Sequence, residues 1–187
     1  MANHCYNYAF LTGSKEMLDL LESRLKKATE EESHLWYETF FIVLGKEKEE
    51  GDVYNFFGSK WFEAEWNRMS DTTASLCGSS AWSPMLPFYE ELSKIYNLNI
   101  TADYEEPGMD FGGWFNVNKG VITRDISVSY EEYLWENNED YAIERFIEDI
   151  RDGYYSSLNK LMSHNYWNKL SESDKEIAIS TFKEYNS

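Results

Sequence analysis

Between Trp82 and Gly113 the chain reads WSPMLPFYEELSKIYNLNITADYEEPGMDFGG, and this stretch restricts the fold more than any other. Pro84 and Pro87 stand where a helix can begin, and Phe88, Leu92 and Ile95 fall on one side of a short helix ending at Asn97. Leu98, Ile100, Ala102 and Tyr104 then alternate with polar residues as a half-buried strand. The period of two continues through Met109, Phe111, Gly113, Phe115 and Val117, and Asn118-Lys119-Gly120 turns the chain toward Ile122, Ile126 and Val128. A helix, a strand and a hairpin thus follow one another without a long linker.

The preceding residues supply matching parts. Asn3 to Leu11 reads as a strand, and Gly13-Ser14 provides a turn and an N-cap for a helix over Lys15 to Ala28, with Met17, Leu18, Leu21 and Leu25 as its apolar stripe. Thr29 to Ser33 is an acidic break. Leu35 to Leu44 fits either a strand or a buried helix, because short apolar runs do not separate the two. Lys46 to Asp52 is a solvated loop; alternation from Trp61 to Trp66 and over Thr72 to Ala81 gives two further strands. The order strand, helix, strand, strand, helix, strand predicts an α+β, ferredoxin-like antiparallel sheet with two packed helices and an extra hairpin, over residues 1–129. Residues 130–187 change character and form a helical C-terminal appendix expected to pack on that domain. Ile143, Phe146, Ile147, Ile150 and Tyr154 have helical spacing, as do Leu158, Leu161 and Met162. Ser171 and Asp174 resemble a capping box ahead of Ile177 and Phe182.

With 42% hydrophobic and 17% aromatic residues the chain can bury a core. No apolar run approaches the roughly 18 residues of a membrane span, and no signal-peptide layout opens the chain, so a cytoplasmic protein is expected. Cys5 and Cys77 are expected to be buried, reduced strand residues. The formal net charge of -17 argues against direct nucleic-acid binding and against membrane surfaces. The acids are spread along the chain, 21 in residues 1–129 and 13 in 130–187, so no acidic tail accounts for the excess.

Four motifs carry a resemblance. Asn3-His4-Cys5 with Asn7 and Gly13, Phe57-Gly58-Ser59-Lys60-Trp61, Trp82-Ser83-Pro84 with Pro87-Phe88 and Leu92-Ser93, and Tyr104 to Gly113 together resemble the YubB-type ferredoxin-like domain family, which includes Api-like proteins of phages and mobile elements. The resemblance covers residues 3 to about 128. It implies a ferredoxin-like fold and a mobile-element setting, and it brings no catalytic residues or cofactor.

Two groups of residues invite functional readings. Glu105, Glu106 and Asp110, with Tyr104 and Trp82, make a conditional pocket: paired carboxylates can do acid/base work or hold a hard cation. Against this, acids flanking the Pro107-Gly108 turn are ordinarily solvated or satisfy backbone donors, and Gly112-Gly113 suits a bulge or close packing beneath a ring such as Trp82. The second group is a run of acids four residues apart, Glu132, Glu136, Asp140, Glu144, Glu148 and Asp152. An unbroken helix would rotate Glu132 and Glu136 onto the apolar side, so the helix is expected to break near Asn137-Asn138. Candidate partner contacts are Glu144, Glu148, Asp149 and Asp152, with Tyr130, Tyr133 and Trp135 as exposed aromatic anchors. His4, His34 and His164 lack metal-ligand spacing, so no metal or cofactor is expected, and no catalytic residue is assigned.

The leading expectation is a non-catalytic phage or mobile-element protein that binds and inhibits a host nuclease or CRISPR effector through acids placed against its basic channel. The alternatives are an assembly or regulatory module, with self-association as a homodimer open, and a small carboxylate-dependent hydrolase.

Overall fold

The N-terminal alternation becomes the middle of a sheet. Strand β1 (His4–Thr12) turns Cys5, Asn7, Ala9 and Leu11 into the protein and leaves Tyr6, Tyr8 and Phe10 outward, as the two-residue period of a strand dictates. The computed structural model describes residues 3–30, 34–48 and 50–186. Residues 31–33 of the acidic break and 49 of the charged loop lie outside the described residues. Helix α1 (Lys15–Ala28) begins where Ser14 Oγ accepts a hydrogen bond from Met17 N at 3.3 Å, and it buries Leu18, Leu21, Leu25 and Ala28.

The ambiguous run at 35–44 is both things in turn. Leu35–Trp36 is a two-residue strand, β2, and Tyr37–Leu44 is helix α2. Thr39 starts the helix by accepting from Trp36 N at 2.7 Å, and Gly45 ends it in the left-handed conformation. Helix α3 (Val53–Phe57), capped by Asp52, is too short to leave a periodic signal in the sequence. Then come β3 (Trp61–Arg68), β4 (Thr73–Ala81), α4 (Leu86–Ile95), β5 (Asn99–Glu106), β6 (Phe111–Asn118) and β7 (Val121–Val128).

The strands lie in the order β2-β3-β4-β1-β5-β6-β7, every neighbouring pair antiparallel. Strands β3-β4-β1-β5 with α1 and α4 make the split β-α-β arrangement of a ferredoxin-like fold, and β6-β7 is the extra hairpin. Two local expectations are corrected. Met109 is exposed in a 3-10 turn over Pro107–Met109 and belongs to no strand. The irregularity in the hairpin falls at Asn116/Val117, and Gly112-Gly113 pair in regular register. The core on the helix side is rich in rings: Phe40 lies 4.6 Å from Phe57 and 5.1 Å from Phe88 between ring centres.

The chain divides into two compact units, Met1–Tyr130 and Glu131–Ser187. Helix α5 (Tyr130–Asn137) spans the division, and α6 (Glu139–Arg151), α7 (Leu158–Met162) and α8 (Glu172–Tyr185) follow. The second unit has its own core around the fully buried Phe146, against which Trp135, His164 and Trp167 pack at 5.2, 5.0 and 5.9 Å. Ser171 caps α8 by accepting from Asp174 N at 3.1 Å. Ile177 is exposed, leaving Ala178 and Phe182 as that helix's buried residues.

In the first unit the sharpest corner, from β4 into α4, is held by buried polar groups. Asn7 is fully buried; its amide donates to Cys5 O at 2.9 Å and to Ser80 Oγ at 2.8 Å, and its Oδ1 accepts from Met85 N at 2.9 Å. Ser80 Oγ donates to Ser83 O at 2.7 Å, and Ser59 Oγ exchanges hydrogen bonds with both backbone groups of Ala81. Gly58, at φ +86°, sits so close beneath the corner that a Cβ there would lie 2.3 Å from Pro84 O. Three of the four sequence motifs therefore meet in one network.

Two outcomes follow. Asn7→Ala leaves Met85 N without its acceptor in a dry site, and a loss of about 2–3 kcal/mol is expected, read as a lower urea midpoint at unchanged slope. The cysteines differ: Cys5 is buried on the helix side, as expected, whereas Cys77, opposite Tyr8, is half-buried on the other face and not buried as expected. Burial, aided by Glu106, pushes the Cys5 thiol up to about 12. A thiol reagent at pH 8 should label Cys77 well before Cys5, with both reacting alike after denaturation.

Candidate functional site

The alternation of β5 separates the carboxylates that the sequence places side by side. Tyr104 and Glu106 point to the buried side and Glu105 to the other. Glu106 accepts a hydrogen bond from Met109 N and so caps the 3-10 turn beneath it. The Tyr104 hydroxyl donates to Ile126 O at 3.4 Å, and its ring covers Gly113. A Cβ on Gly113 would come within 2.1 Å of Ile126 O and 2.5 Å of that hydroxyl, so the ring that requires glycine here is Tyr104, not Trp82. Trp82 is half exposed at φ +69°, its N–H donating to Asn3 O at 3.0 Å.

Asp110, also in the left-handed region, accepts from Tyr130 N at 3.2 Å and fastens the end of the hairpin. Glu105 faces Tyr8, whose hydroxyl donates to it at 3.4 Å; partial burial, with Asp103 nearby, raises its pKa. The five residues of the conditional pocket thus occupy two faces of the sheet and a turn. No group of three or more His, Cys, Asp or Glu residues among the described residues is placed to hold a metal ion. Gly113→Ala should lower stability by about 1–3 kcal/mol, as overpacking of a tight site does, with a reduced thermal midpoint as the readout.

The second group assembles in part. The helix breaks at Asn138, whose Oδ1 accepts from Tyr141 N at 2.9 Å and starts α6 anew, as the rotation of the acidic stripe requires. On α6 and its C-cap, Asp140, Glu144, Glu148 and Asp152 are exposed. These acids recur about every 6 Å along the axis. Asp149 is not part of that exposed row: it is partly buried and pairs with Arg145 at 3.2 Å, burial raising its pKa while Arg145 lowers it. Arg145 also reaches Glu148 at 2.9 Å. Glu136 pairs with Lys169.

The aromatic anchors are corrected. Tyr133 and Trp135 are buried, and Trp135 stacks on Tyr166 at 4.7 Å with the rings 6° from parallel, so it builds the unit's core. Tyr130 is half-buried at the end of the first unit. Exposed aromatics elsewhere include Tyr154 and Tyr185 in the second unit and, as a row on β1 in the first, Tyr6, Tyr8 and Phe10, each 42% exposed. The run Cys5-Tyr-Asn-Tyr-Ala-Phe-Leu11 carries apolar bulk at nearly every position. That doubling was the available sign of rings on the outer face.

A family model agrees with the ferredoxin-like architecture. Residues 60–145 match the family model described as the ferredoxin-like domain in Api92-like protein. This is the Api-like resemblance of the motifs, with a different span: the match begins after the Asn3–Gly13 motif and runs beyond residue 128 into α6. Among solved structures, the chain is similar to the crystal structure of a protein api92 from Yersinia pseudotuberculosis, at 9% identity and a TM-score of 0.44, over 70% of this chain and 98% of that one. No curated protein matches.

Proposed function

Proceeding from a chain that carries the Api92-like ferredoxin-like domain over residues 60–145, we propose a non-catalytic binding protein whose acidic surface occupies a basic, nucleic-acid-binding site on a host defence protein such as a nuclease or CRISPR effector. One observation carries the reading: on a chain of net charge -17, Glu144, Glu148 and Asp152 stand exposed in a row on and at the end of a single helix. A fixed row of carboxylates complements the cationic track by which such enzymes hold a phosphate backbone, and opposite potentials speed encounter and set register. The helix supports the row from below, because Phe146 and Ile150 are buried in the unit's own core. Side chains on a packed helix keep their spacing better than acids on a tail.

The test is retention of host proteins on the immobilised chain, followed by elution with duplex DNA. Nucleic-acid-handling enzymes should be retained and released by DNA, and Glu144→Lys/Glu148→Lys/Asp152→Lys should retain them at least about tenfold less. If the charge-reversed chain keeps the same proteins, or DNA does not release them, the acidic row is not the contact.

A second reading, an assembly or regulatory module, is favoured by a different feature. Strand β7 ends the sheet with Val121, Ile122 and Ile126 exposed, and an apolar terminal strand is a template for pairing with another chain. Light scattering over a concentration series discriminates: a dimer abolished by Ile122→Lys would favour the edge.

A further inference from the structure

The outer face of the sheet in the first unit combines a row of exposed rings with carboxylates. Along β1, Tyr6, Tyr8 and Phe10 stand in a row, each 42% exposed. Register then fixes their neighbours. Tyr6 lies directly opposite Glu105 and Tyr8 opposite Asp103 on β5; on the other side, across Cys77 of β4, Glu65 of β3 falls in line with Tyr8. Opposed residues of antiparallel strands point to the same side, so rings and carboxylates share one surface.

An aromatic row on a ferredoxin-like sheet is a familiar way of stacking nucleic-acid bases. Here the surrounding charge is wrong for that ligand, since phosphates would approach Glu65, Asp103 and Glu105. A guanidinium satisfies both halves, because it is planar, stacks on rings and forms paired hydrogen bonds with carboxylates. The same face already holds one such contact: Arg124 lies over the Trp114 ring at 4.8 Å, and Trp114 stands opposite Asp103. Spacing also matches, since an extended peptide repeats side chains on one side about every 6.6 Å, as does the row on β1. β1 is flanked by β4 and β5, so an occupant lies across the face and cannot join the sheet as a strand.

We infer that the Tyr6–Tyr8–Phe10 face, with Glu65, Asp103 and Glu105, docks an extended arginine-rich segment of a partner protein. This surface is distinct from the acidic row of α6 and stands or falls without it. Another acid on the face, Glu63, is paired with His34 at 2.6 Å, and Glu105 accepts from the Tyr8 hydroxyl at 3.4 Å, a contact that an incoming guanidinium would share.

The test titrates fluorescent nona-arginine, nona-lysine and a single-stranded oligonucleotide against the full chain at fixed salt. Nona-arginine should bind about tenfold more tightly than nona-lysine of equal charge, the difference coming from stacking. Tyr8→Ser with Phe10→Ser should remove that preference, and Tyr8→Phe should keep it. Charge reversal at Glu144, Glu148 and Asp152 should leave the arginine preference in place, which separates this site from the α6 reading. Asp103→Asn with Glu105→Gln, which preserves shape, should weaken nona-arginine by about fivefold or more and guards against misfolding of the serine variant. Equal affinity for the two peptides, a preference that survives loss of the rings, or preferential binding of the oligonucleotide would overturn the proposal.

Discussion

Asn7 is one side chain that three pieces of chain need at once. Its amide and carbonyl reach the β1 backbone, Ser80 of β4 and the N–H of Met85 at the start of α4. Buried polar groups are costly unless every partner is present, so this arrangement is stable only when β1, β4 and the corner into α4 are all in place. The neighbouring contacts have the same all-or-none character. Ser59 pairs with both backbone groups of Ala81 at the end of β4, and Gly58 admits the Pro84 carbonyl where any side chain would collide. The motif residues therefore specify a scaffold. Asn7, Ser59 and Ser80 are consumed in holding backbone, and Glu106, a member of the conditional pocket, is likewise committed to Met109 N.

The elements whose side chains repeat at a fixed period were legible. β1, α1, β3, β4, α4, β5 and the hairpin all follow from alternation or from a stripe such as Leu18, Leu21 and Leu25, and their order was enough for the ferredoxin-like class. Short elements were not. Leu35–Trp36 and Val53–Phe57 last two and five residues, less than two turns of the period that each would have to repeat. Contacts across strands were also hidden: that Gly113 lies beneath Tyr104 depends on the pairing of β5 with β6, which no local pattern encodes. Trp135 was misplaced for a related reason. The short helix α5 precedes the break at Asn138, and the rings that bury Trp135, Phe146 and Tyr166, come from later elements.

The candidate surfaces were half visible. The break at Asn138, the exposure of Glu144, Glu148 and Asp152 and the i,i+4 pairing of Arg145 with Asp149 all follow from helix geometry, whereas the partial burial of Asp149 depends on packing. On the sheet, β1 carries bulk on both sides, so alternation could not say which residues face inward; polar Asn7 is buried, while Phe10 is exposed. Electrostatics link the two surfaces. A chain with twice as many acids as bases keeps few cations to neutralise its own faces, and a net acidic surface favours a basic partner most strongly at low ionic strength.

If the buried network at the β4–α4 corner holds the first unit together, its backbone amides cannot open separately from the rest of that unit. Amide hydrogen exchange resolved at single residues measures this. Met85 N–H and Ala81 N–H should exchange only through global unfolding, with the same protection as Ala9 at the centre of β1 and the same dependence on added denaturant. Exchange of Met85 and Ala81 through a local opening, faster than Ala9 and insensitive to low denaturant, would show that the corner is an ornament on a sheet that stands without it.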